Sequence, residues 1–343
     1  MNASPRVTVA GAGVLGLTTA LALADAGCRV TVADPGGPNA SSVAAGMIAP
    51  VFEAVLDETA RPYPDLLLSA RDLWPALAAR AGIVLDRSGA LAVGRDAWLD
   101  GLAAAFARLG QRPTELGGVT ARGLAPGLSE AFPRALLSRE DWRVDARPAL
   151  AALTAAAREA GVGFVSEPVR GRGQSDVLVV ATGAAQELLE VAPELSVLSP
   201  IKGHIVRVAS PSCGAVVRAE GVYASPGAEM IFGATMEAGR TDAGVDEALA
   251  TPLLAGGLKL FPGLAGAQVE ISAGIRAATR DGLPLVGWSE AEPGVILATG
   301  ARRNGWLLAP LVARIVAACV TGRERGPYAD RMDPARFRAS LWD

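Results

Sequence analysis

The spacing of apolar residues changes repeatedly near the N-terminus. "RVTVA" (6–10) and "RVTVAD" (29–34) are short runs with β-branched residues, and "VLGLTTALALADAG" (14–27) between them is long, rich in Ala and Leu, and ends in a glycine. The short runs predict buried strands and the long segment predicts a helix. The order strand, turn, helix, strand fits a parallel βαβ crossover.

Later segments extend this pattern. Strands are expected at 161–166 and at 176–183 ("DVLVVATG"), the second buried on both faces. A helix at about 146–160 follows Asp145, a residue type suited to an N-cap. Strands within "PLVGWS" and "GVILATG" and a closing helix at 304–321 end the series.

Two stretches between these segments show a different pattern of apolar residues. Helical periods occur at 64–82 and 95–110, with a strand pair expected between them from "IVLD" (83–86) and "ALAVG" (90–94). From 198 to about 274, Gly and Pro punctuate short runs such as "IKGHIVRV" and "VEISAGIR", which predicts antiparallel sheet. One helix, at about 242–260, interrupts those strands.

The turn after the first strand carries a dinucleotide-binding pattern. Gly11, Gly13 and Gly16 form GxGxxG, and Asp34 follows 18 residues after the last glycine, at the end of the second strand. The glycines permit a tight turn, close approach of the pyrophosphate and helix packing, while the acid suits ribose hydroxyls. The helix N-terminus offers free N–H groups to the phosphates. The alternative is that the glycines only form a tight turn and bind no dinucleotide.

This motif alone fits NAD(P) or FAD. The next segment, "NASSVAAGMIAP" (39–50), has small residues and no strand pattern. Ser41 and Ser42 are candidates to bind phosphate, and Ala45 and Gly46 would let backbone lie against a flat ring. An NAD enzyme more often proceeds to its next βα unit, although an ordinary surface loop is also compatible.

Together these patterns predict an α/β fold with two interleaved domains. A Rossmann-like cofactor domain is expected from 1–50, 140–195 and 275–343. An α+β substrate domain with a mostly antiparallel sheet is expected from 51–139 and 196–274.

Composition narrows the function. The 343 residues are 50% hydrophobic with mean hydropathy +0.31 and net charge −3, so no basic face for nucleic acid is expected. No run is long and apolar enough for a membrane span. The cysteines Cys28, Cys213 and Cys319 match no metal spacing and suit a reducing cytoplasm. A secretory signal at the N-terminus is the less favoured alternative.

Segments along the whole chain resemble the D-amino-acid oxidase and sarcosine oxidase family of FAD-dependent oxidoreductases. They are "GAGVLG", "SSVAAGM", "WRVD", "VVATGA", "PIKG", "FGATM", "AGIRAATRDGLPLVG" and "ARRNGWLLAP". Within that family the chain looks most like the glycine oxidases of the thiazole pathway, which serves thiamine synthesis. The covalent-flavin cysteine of sarcosine oxidases would lie near "AATRDG" and is absent from that segment.

The resemblance implies non-covalent FAD between two domains and oxidation of a small amino acid to its imine, with O2 the expected acceptor. It implies that Arg276 and Tyr223 bind the substrate carboxylate, that Arg303 lies beside the flavin, and that Met47 and Met236 form apolar walls. The implied cofactor contacts are Gly11, Gly13, Val14, Leu15, Gly16, Asp34, Ser41, Ser42, Ala45, Gly46, Met47, Val169, Thr182, Gly183, Gly274, Arg276, Arg303, Asn304, Gly305, Trp306 and Leu307.

The closing helix has a physical reason to face the flavin. Asn304, Gly305 and Trp306 would begin it, and free N–H groups at a helix N-terminus stabilise the negative charge of reduced flavin. Arg303 is expected to face the site, while Arg302 is expected to turn to solvent or a surface acid. Trp306 departs from the aliphatic residue that relatives carry.

Other readings stay open at this point. His204 and Lys202 are expected to be structural, the lysine in a turn with Gly203, and no metal site is expected. Arg276 has a structural ion pair as its alternative, and Tyr223 a place in the core. A D-amino-acid dehydrogenase or oxidase, a sarcosine-type oxidase, an NAD-dependent dehydrogenase and a flavin-binding subunit without turnover are the rival functions. A homo-oligomer is compatible with the family.

Overall fold

The computed structural model describes residues 4–37 and 39–340, without the side chains of 339 and 340. Residues 1–3, 38 and 341–343, which the expected domain ranges include, lie outside the described residues. The strands are β1 (Arg6–Ala10), β2 (Arg29–Ala33), β3 (Met47–Ile48), β4 (Ala90–Val93), β5 (Thr114–Gly117), β6 (Arg134–Ser138), β7 (Trp142–Arg143), β8 (Gly163–Val165), β9 (Val177–Val180), β10 (Ser199–Val208), β11 (Val216–Ala219), β12 (Val222–Ser225), β13 (Met230–Gly233), β14 (Glu237–Ala238), β15 (Val269–Ala278), β16 (Leu285–Trp288) and β17 (Val295–Thr299).

The helices alternate with these strands in the first and last parts of the chain and cluster between β3 and β7. They are α1 (Val14–Asp25), α2 (Ala40–Val43), α3 (Pro50–Leu56), α4 (Pro64–Asp72), α5 (Trp74–Ala81), α6 (Asp96–Arg108), α7 (Gly118–Leu124), α8 (Ala146–Glu159), α9 (Glu247–Leu260), α10 (Gly305–Thr321) and α11 (Ala329–Met332). Short 3₁₀ turns lie at Pro193–Val197, Pro262–Leu264 and Pro334–Ser340.

A six-stranded sheet has the order β16-β17-β9-β1-β2-β8. Its pairs are parallel except for β16, which runs antiparallel to β17 at the edge. The central strand β9 is buried at all four residues because strands flank it on both sides and apolar layers cover both faces. The predicted parallel βαβ unit and the doubly buried strand are confirmed.

A nine-stranded sheet follows the order β14-β10-β13-β12-β11-β4-β6-β5, with β15 paired to β10. All its pairs are antiparallel except β11 with β4, which confirms a mostly antiparallel sheet. The expected pairing of 83–86 with 90–94 is wrong. Both edges of β4 are occupied by β6 and β11, and Asp86 instead bridges to Arg143.

The helix expected over 64–82 is broken into α4 and α5. Pro75 stands in the first turn of α5, where its missing N–H and its ring prevent continuation from α4. A second proline, Pro310, lies inside α10 and leaves the carbonyl of Trp306 without its helical donor. The indole N–H of buried Trp74 donates to that carbonyl at 3.0 Å and fixes α5 against α10.

The largest apolar core lies between the six-stranded sheet and helices α1, α8 and α10. Leu66 and Trp74 of α4 and α5 join this core, although residues 51–139 were expected to belong to the substrate domain. The domain boundaries stay a prediction. A second core lies between the nine-stranded sheet and α7 and α9.

The two sheets are joined at the end of β15. Ala278 forms a β-bridge with Ala301, and the Arg302 N–H donates to the Ala277 carbonyl at 2.7 Å. The last strand of the antiparallel sheet therefore contacts the segment between β17 and α10 directly. Over residues 4–37 and 39–340, the helices are all too short or too polar to span a bilayer.

Candidate active site

Two cavities meet near the carboxyl ends of β1 and β17. The larger, about 490 Å³, begins at the Gly11–Gly13 turn, passes Asp34 and reaches Gly305. The smaller, about 310 Å³, lies between the nine-stranded sheet and helix α3. Arg276 lines both, so the two spaces adjoin at its side chain.

The larger cavity has the features of a dinucleotide site. Gly11 has φ +107°, and a Cβ there would stand 2.5 Å from the Ala181 carbonyl oxygen, so the turn requires glycine. Helix α1 begins directly after it at Val14, which places its free N–H groups toward the cavity. Asp34 lines the same space and accepts the N–H groups of Ala12 (2.5 Å) and Gly36 (2.7 Å).

The structure brings most of the predicted cofactor residues to these cavities. Those along the larger one are Gly11, Gly13, Val14, Leu15, Asp34, Ser41, Val169, Thr182, Gly183, Gly274, Arg276 and Gly305. Those along the smaller one include Ala45, Met47, Arg303, Asn304 and Trp306.

Four predicted contacts lie beside the cavities without lining them. Gly16 packs under the turn against Gly11, and Leu307 is buried in the core. The Ser42 hydroxyl closes a capping box with Asn39 at the start of α2, and the Gly46 carbonyl accepts the Val144 N–H at 2.9 Å. These four residues therefore shape the backbone and core around the cavities, and a role in cofactor binding stays a prediction for them.

Strand register places Tyr223 and Arg276, which are predicted to bind the substrate carboxylate, on one face of the nine-stranded sheet. Arg218 pairs with Tyr223, Tyr223 with Gly233, Gly233 with Ile205, and Ile205 with Ser272. Directly opposed residues of antiparallel strands share a face, and Arg276, four residues after Ser272, shares it too. This face forms the floor of the smaller cavity.

Arg276 lies flat over a bare stretch of neighbouring backbone. A Cβ added at Gly203 would stand 2.6 Å from Cζ of Arg276, so the guanidinium occupies the space of an absent side chain. Gly203 is inside β10, not in the turn expected for it and Lys202, because β10 continues through to Val208. The Nη1 of Arg276 donates to the Thr235 carbonyl at 3.3 Å.

No carboxylate among the described residues pairs with Arg276, so the structural ion pair considered above is absent there. Burial lowers the pKa of this guanidinium, and the charges of Arg303 and Arg302 also lower it, while Tyr223 and Glu53 act in the opposite direction. The group stays protonated, because an arginine pKa is far above neutrality. A cation on a cavity floor with no carboxylate paired to it is suited to an anionic ligand.

Tyr223 stands beside Arg276, and its ring lies over Gly233 as the Arg276 guanidinium lies over Gly203. Burial raises the pKa of the phenol, so it is a neutral hydrogen-bond donor at physiological pH. Met47 lines the cavity near Arg218, and Met236 lines it with a partly exposed side chain. Arg276 and Tyr223 thus present convergent donors between apolar walls.

Two charged residues of the cavity, Glu53 on the wall opposite the sheet and Arg218 on the floor, were not identified from the sequence. Glu53 of α3 is 4% exposed, and its Oε1 accepts from Arg218 and from Arg303, each at 3.3 Å. Its Oε2 has no partner among the described residues. Arg218 in "AVVRA" has the same signature that identified Arg276, a charge within an apolar strand, and could have been found by it.

The two adjacent arginines diverge. Arg303 lines the smaller cavity, with Glu53 at 3.3 Å and Asp57 at 3.7 Å. Arg302 pairs with Asp57, which is buried and is not the solvent or surface acid expected for it. Burial raises the pKa of Asp57, but bonds from Thr59 and the two arginine charges outweigh this and leave the pKa below its ordinary value.

Helix α10 begins at Gly305, at the junction of the cavities. The Trp306 indole N–H donates to the Ser41 carbonyl at 3.2 Å, which holds this ring against α2. Lys202 and His204 make contacts that fit the structural roles expected for them. Lys202 Nζ is 2.7 Å from Asp242, and the buried His204 ring contacts Thr235 and the Asp246 N–H, which ties residues 235–246 to β10.

The DAO family profile, described as FAD dependent oxidoreductase, matches residues 6–319. The chain belongs to this family. The chain is therefore an FAD-dependent oxidoreductase, and the glycine turn, helix α1 and Asp34 of the larger cavity suit that cofactor. Among the described residues no cluster could hold a metal ion.

Relatives with known names match the chain over nearly its whole length. A glycine oxidase of Pseudomonas aeruginosa is 32% identical, covering 95% of this chain and 98% of the relative. A Rhizobium etli oxidoreductase, ThiO, assigned provisionally to thiamine biosynthesis, is 34% identical over 91% of this chain and 95% of its own. The crystal structure of glycine oxidase from Geobacillus kaustophilus superposes with a TM-score of 0.82 at 28% identity, covering 97% and 99%.

Proposed function

We propose that the chain oxidises glycine or another small amino acid to the imine, with the substrate carboxylate bound by Arg276 and Tyr223. The observation that carries this is the Arg276 guanidinium. It is a desolvated cation on the cavity floor with no carboxylate partner in the described chain, and it lies at the junction with the FAD site. A free carboxylate satisfies it in a way that a plain amine does not.

The residues act by orientation. Bound FAD supplies the hydride acceptor for the Cα hydrogen of the substrate. Arginine's fork gives two parallel charge-assisted bonds, which fix both position and rotation of a carboxylate, and the Tyr223 hydroxyl adds a donor. Met47 and Met236 offer apolar surface around the Cα. The Arg303 charge and the N-terminus of α10 stabilise negative charge at the junction.

Further parts of the proposal concern the surroundings of the reaction. Electrons pass to O2 to give H2O2, and the chain works in the cytoplasm, which its three unpaired cysteines suit. A role in thiamine thiazole synthesis is supported by the names of its relatives. A D-amino-acid dehydrogenase and a sarcosine-type oxidase, whose substrates also carry a free carboxylate, are alternatives within the proposal.

The test is anaerobic mixing of the FAD-loaded protein with glycine, sarcosine or D-alanine while flavin absorbance is followed. Reduction of the flavin, and peroxide formation once O2 is admitted, are expected. Arg276→Ala should retain FAD and lower kcat/KM by roughly 30-fold to 10³-fold, about 2–4 kcal/mol of transition-state binding. No bleaching by any of these substrates, or FAD loss with unchanged turnover per remaining flavin, would contradict the proposal.

A further inference from the structure

The four-residue helix α2 does not satisfy its own carbonyl groups. Its internal bonding ends at the Ala40 carbonyl, which accepts the Ala44 N–H at 3.1 Å. The last carbonyls of any helix lack partners within it, and so short a helix is marginal without outside support. The carbonyls of Ser41, Ser42 and Val43 instead accept side-chain donors from elsewhere in the chain. The position of α2 therefore depends on those donors.

Two buried side chains supply the donors. Trp306 of α10 donates to the first of the three carbonyls. Arg207 of β10 donates through Nη2 to the carbonyls of Ser42 (3.1 Å) and Val43 (2.9 Å). Arg207 is 2% exposed, its Nε has no partner in the described chain, and its ion-pair partner Glu229 lies 3.5 Å from Nη1. Good charge-assisted bonds are about 2.7–2.9 Å long, so the strongest contact of this guanidinium is with the end of α2.

Helix α2 presents Ser41 to the larger cavity. The Ser41 Oγ accepts the N–H of Val14, the first residue of α1, at 3.0 Å. A serine hydroxyl also has one proton to donate, and the contacts of the described chain leave that proton of Ser41 free. The N-terminus of a helix favours an anion, so the proton stands where a phosphate oxygen of the dinucleotide would accept it. This geometry suits the phosphate-binding role predicted for Ser41.

We propose that Arg207 is a positioning residue for FAD, which fixes the end of α2 so that the Ser41 hydroxyl stays against the start of α1 and donates to the pyrophosphate. Arg207 belongs to the nine-stranded sheet and Ser41 lines the cofactor cavity, so the sheet that carries Arg276 also contributes to cofactor retention. The inference goes beyond the proposed oxidation and does not depend on which amine is the substrate. It rests on Ser41 as a cofactor contact, which the same experiment tests.

A competing role for Arg207 is an ion-pair cluster between β10 and α8. Arg147 of α8 lies 3.6 Å from Glu229, the same carboxylate that faces Arg207, and 2.7 Å from Glu270 of β15. Arg147 is 44% exposed and makes no hydrogen bond to α2 in the described chain. Arg147 is therefore a matched control, because it shares the cluster but not the carbonyls.

The first experiment measures the Kd for FAD by diluting the FAD-loaded enzyme and following flavin fluorescence as the cofactor dissociates. Arg207→Met removes both carbonyl bonds and should raise this Kd by about 10-fold to 100-fold, the range expected for charge-assisted bonds. Arg207→Lys keeps a charged donor without the planar fork and should raise the Kd by about threefold to 10-fold. Arg147→Met should leave the Kd within about twofold of wild type.

A double-mutant cycle tests whether Arg207 acts through Ser41. Ser41→Ala alone should raise the Kd for FAD by about 10-fold, because it removes the proposed phosphate donor. Adding Arg207→Met to Ser41→Ala should then raise the Kd by less than about threefold more, since the contact that Arg207 positions is already lost. Independent effects would instead multiply, and a general loss of packing around Arg207 predicts that product.

Three results overturn the inference: a Kd for Arg207→Met within twofold of wild type, an equal rise in Arg147→Met, or multiplied effects in the double variant. If Arg207→Met does not load FAD, the cycle is run with Arg207→Lys, whose rise in Kd should vanish in the Ser41→Ala background; an unchanged Kd for Arg207→Lys, or a rise that persists there, overturns the inference. None of these measurements involves turnover, so they are independent of whether glycine reduces the flavin.

Discussion

Gly203→Ala tests the substrate grip without touching a functional group. The new Cβ would stand 2.6 Å from Cζ of Arg276 and closer to its nitrogens, so the guanidinium has to move, whereas β10 keeps its ladder with β15. A flexible side-chain end yields at little cost to folding. A displaced guanidinium loses a carboxylate bond of about 1.5–3 kcal/mol, which corresponds to about 10-fold to 150-fold in kcat/KM.

The assay is anaerobic flavin reduction by glycine in stopped flow, with thermal unfolding measured on the same samples. We expect FAD content and Tm close to wild type and a rate at low substrate reduced by about that factor. Gly163→Ala is the matched control, because its Cβ would make only ordinary contacts of 3.5 Å or more in β8. A kcat/KM within twofold of wild type, or an equal fall in the control, would refute the placement of Arg276.

Three further predictions follow from the charges and the cofactor turn. Arg303→Ala should lower kcat/KM. Arg302→Ala should instead lower the free energy of unfolding by up to about 3 kcal/mol, because it leaves Asp57 buried without its main partner. Kinetics and urea unfolding of both variants check this prediction, and equal losses of kcat/KM would contradict it. Burial raises the pKa of Asp141 to about 6, so its stability contribution is present below pH 4 and lost as pH rises through 6. Between pH 4 and 8 the wild type should therefore lose up to about 3 kcal/mol that Asp141→Asn retains, and parallel unfolding curves for the two proteins would exclude this. Gly11→Ala should abolish FAD binding, because its Cβ would meet the Ala181 carbonyl; a yellow protein with normal flavin content would contradict the turn geometry.

Local patterns predicted the cofactor half of the molecule well. The strands at 6–10, 29–34 and 176–183 are apolar runs whose burial follows from their composition. The glycine turn is recognisable from a motif of only a few residues. The pairing of 83–86 with 90–94 failed because partners of β4 come from β6 and β11, far along the chain. Nearness in sequence does not determine which strand fills an edge.

The charged wall of the site was not predictable in the same way. Glu53 meets Arg218 and Arg303 across 165 and 250 positions, and no local spacing records such pairs. Arg276 was identified through resemblance and an apolar surrounding, and its dependence on Gly203 required the register of β10 with β15. These contacts form only in the folded chain, so they cannot be found from the sequence alone.

The bridge between Ala278 and Ala301 has a practical consequence for redesign of the pocket. It sets the offset between Arg276, the proposed carboxylate-binding residue, and the start of α10, so mutations there are expected to shift substrate alignment and cofactor retention together. The rim at Glu220, whose exposed carboxylate pairs with Arg95 at 2.6 Å, is free of that coupling. Libraries intended to widen substrate range should therefore randomise the rim and leave the 277–301 bridge intact.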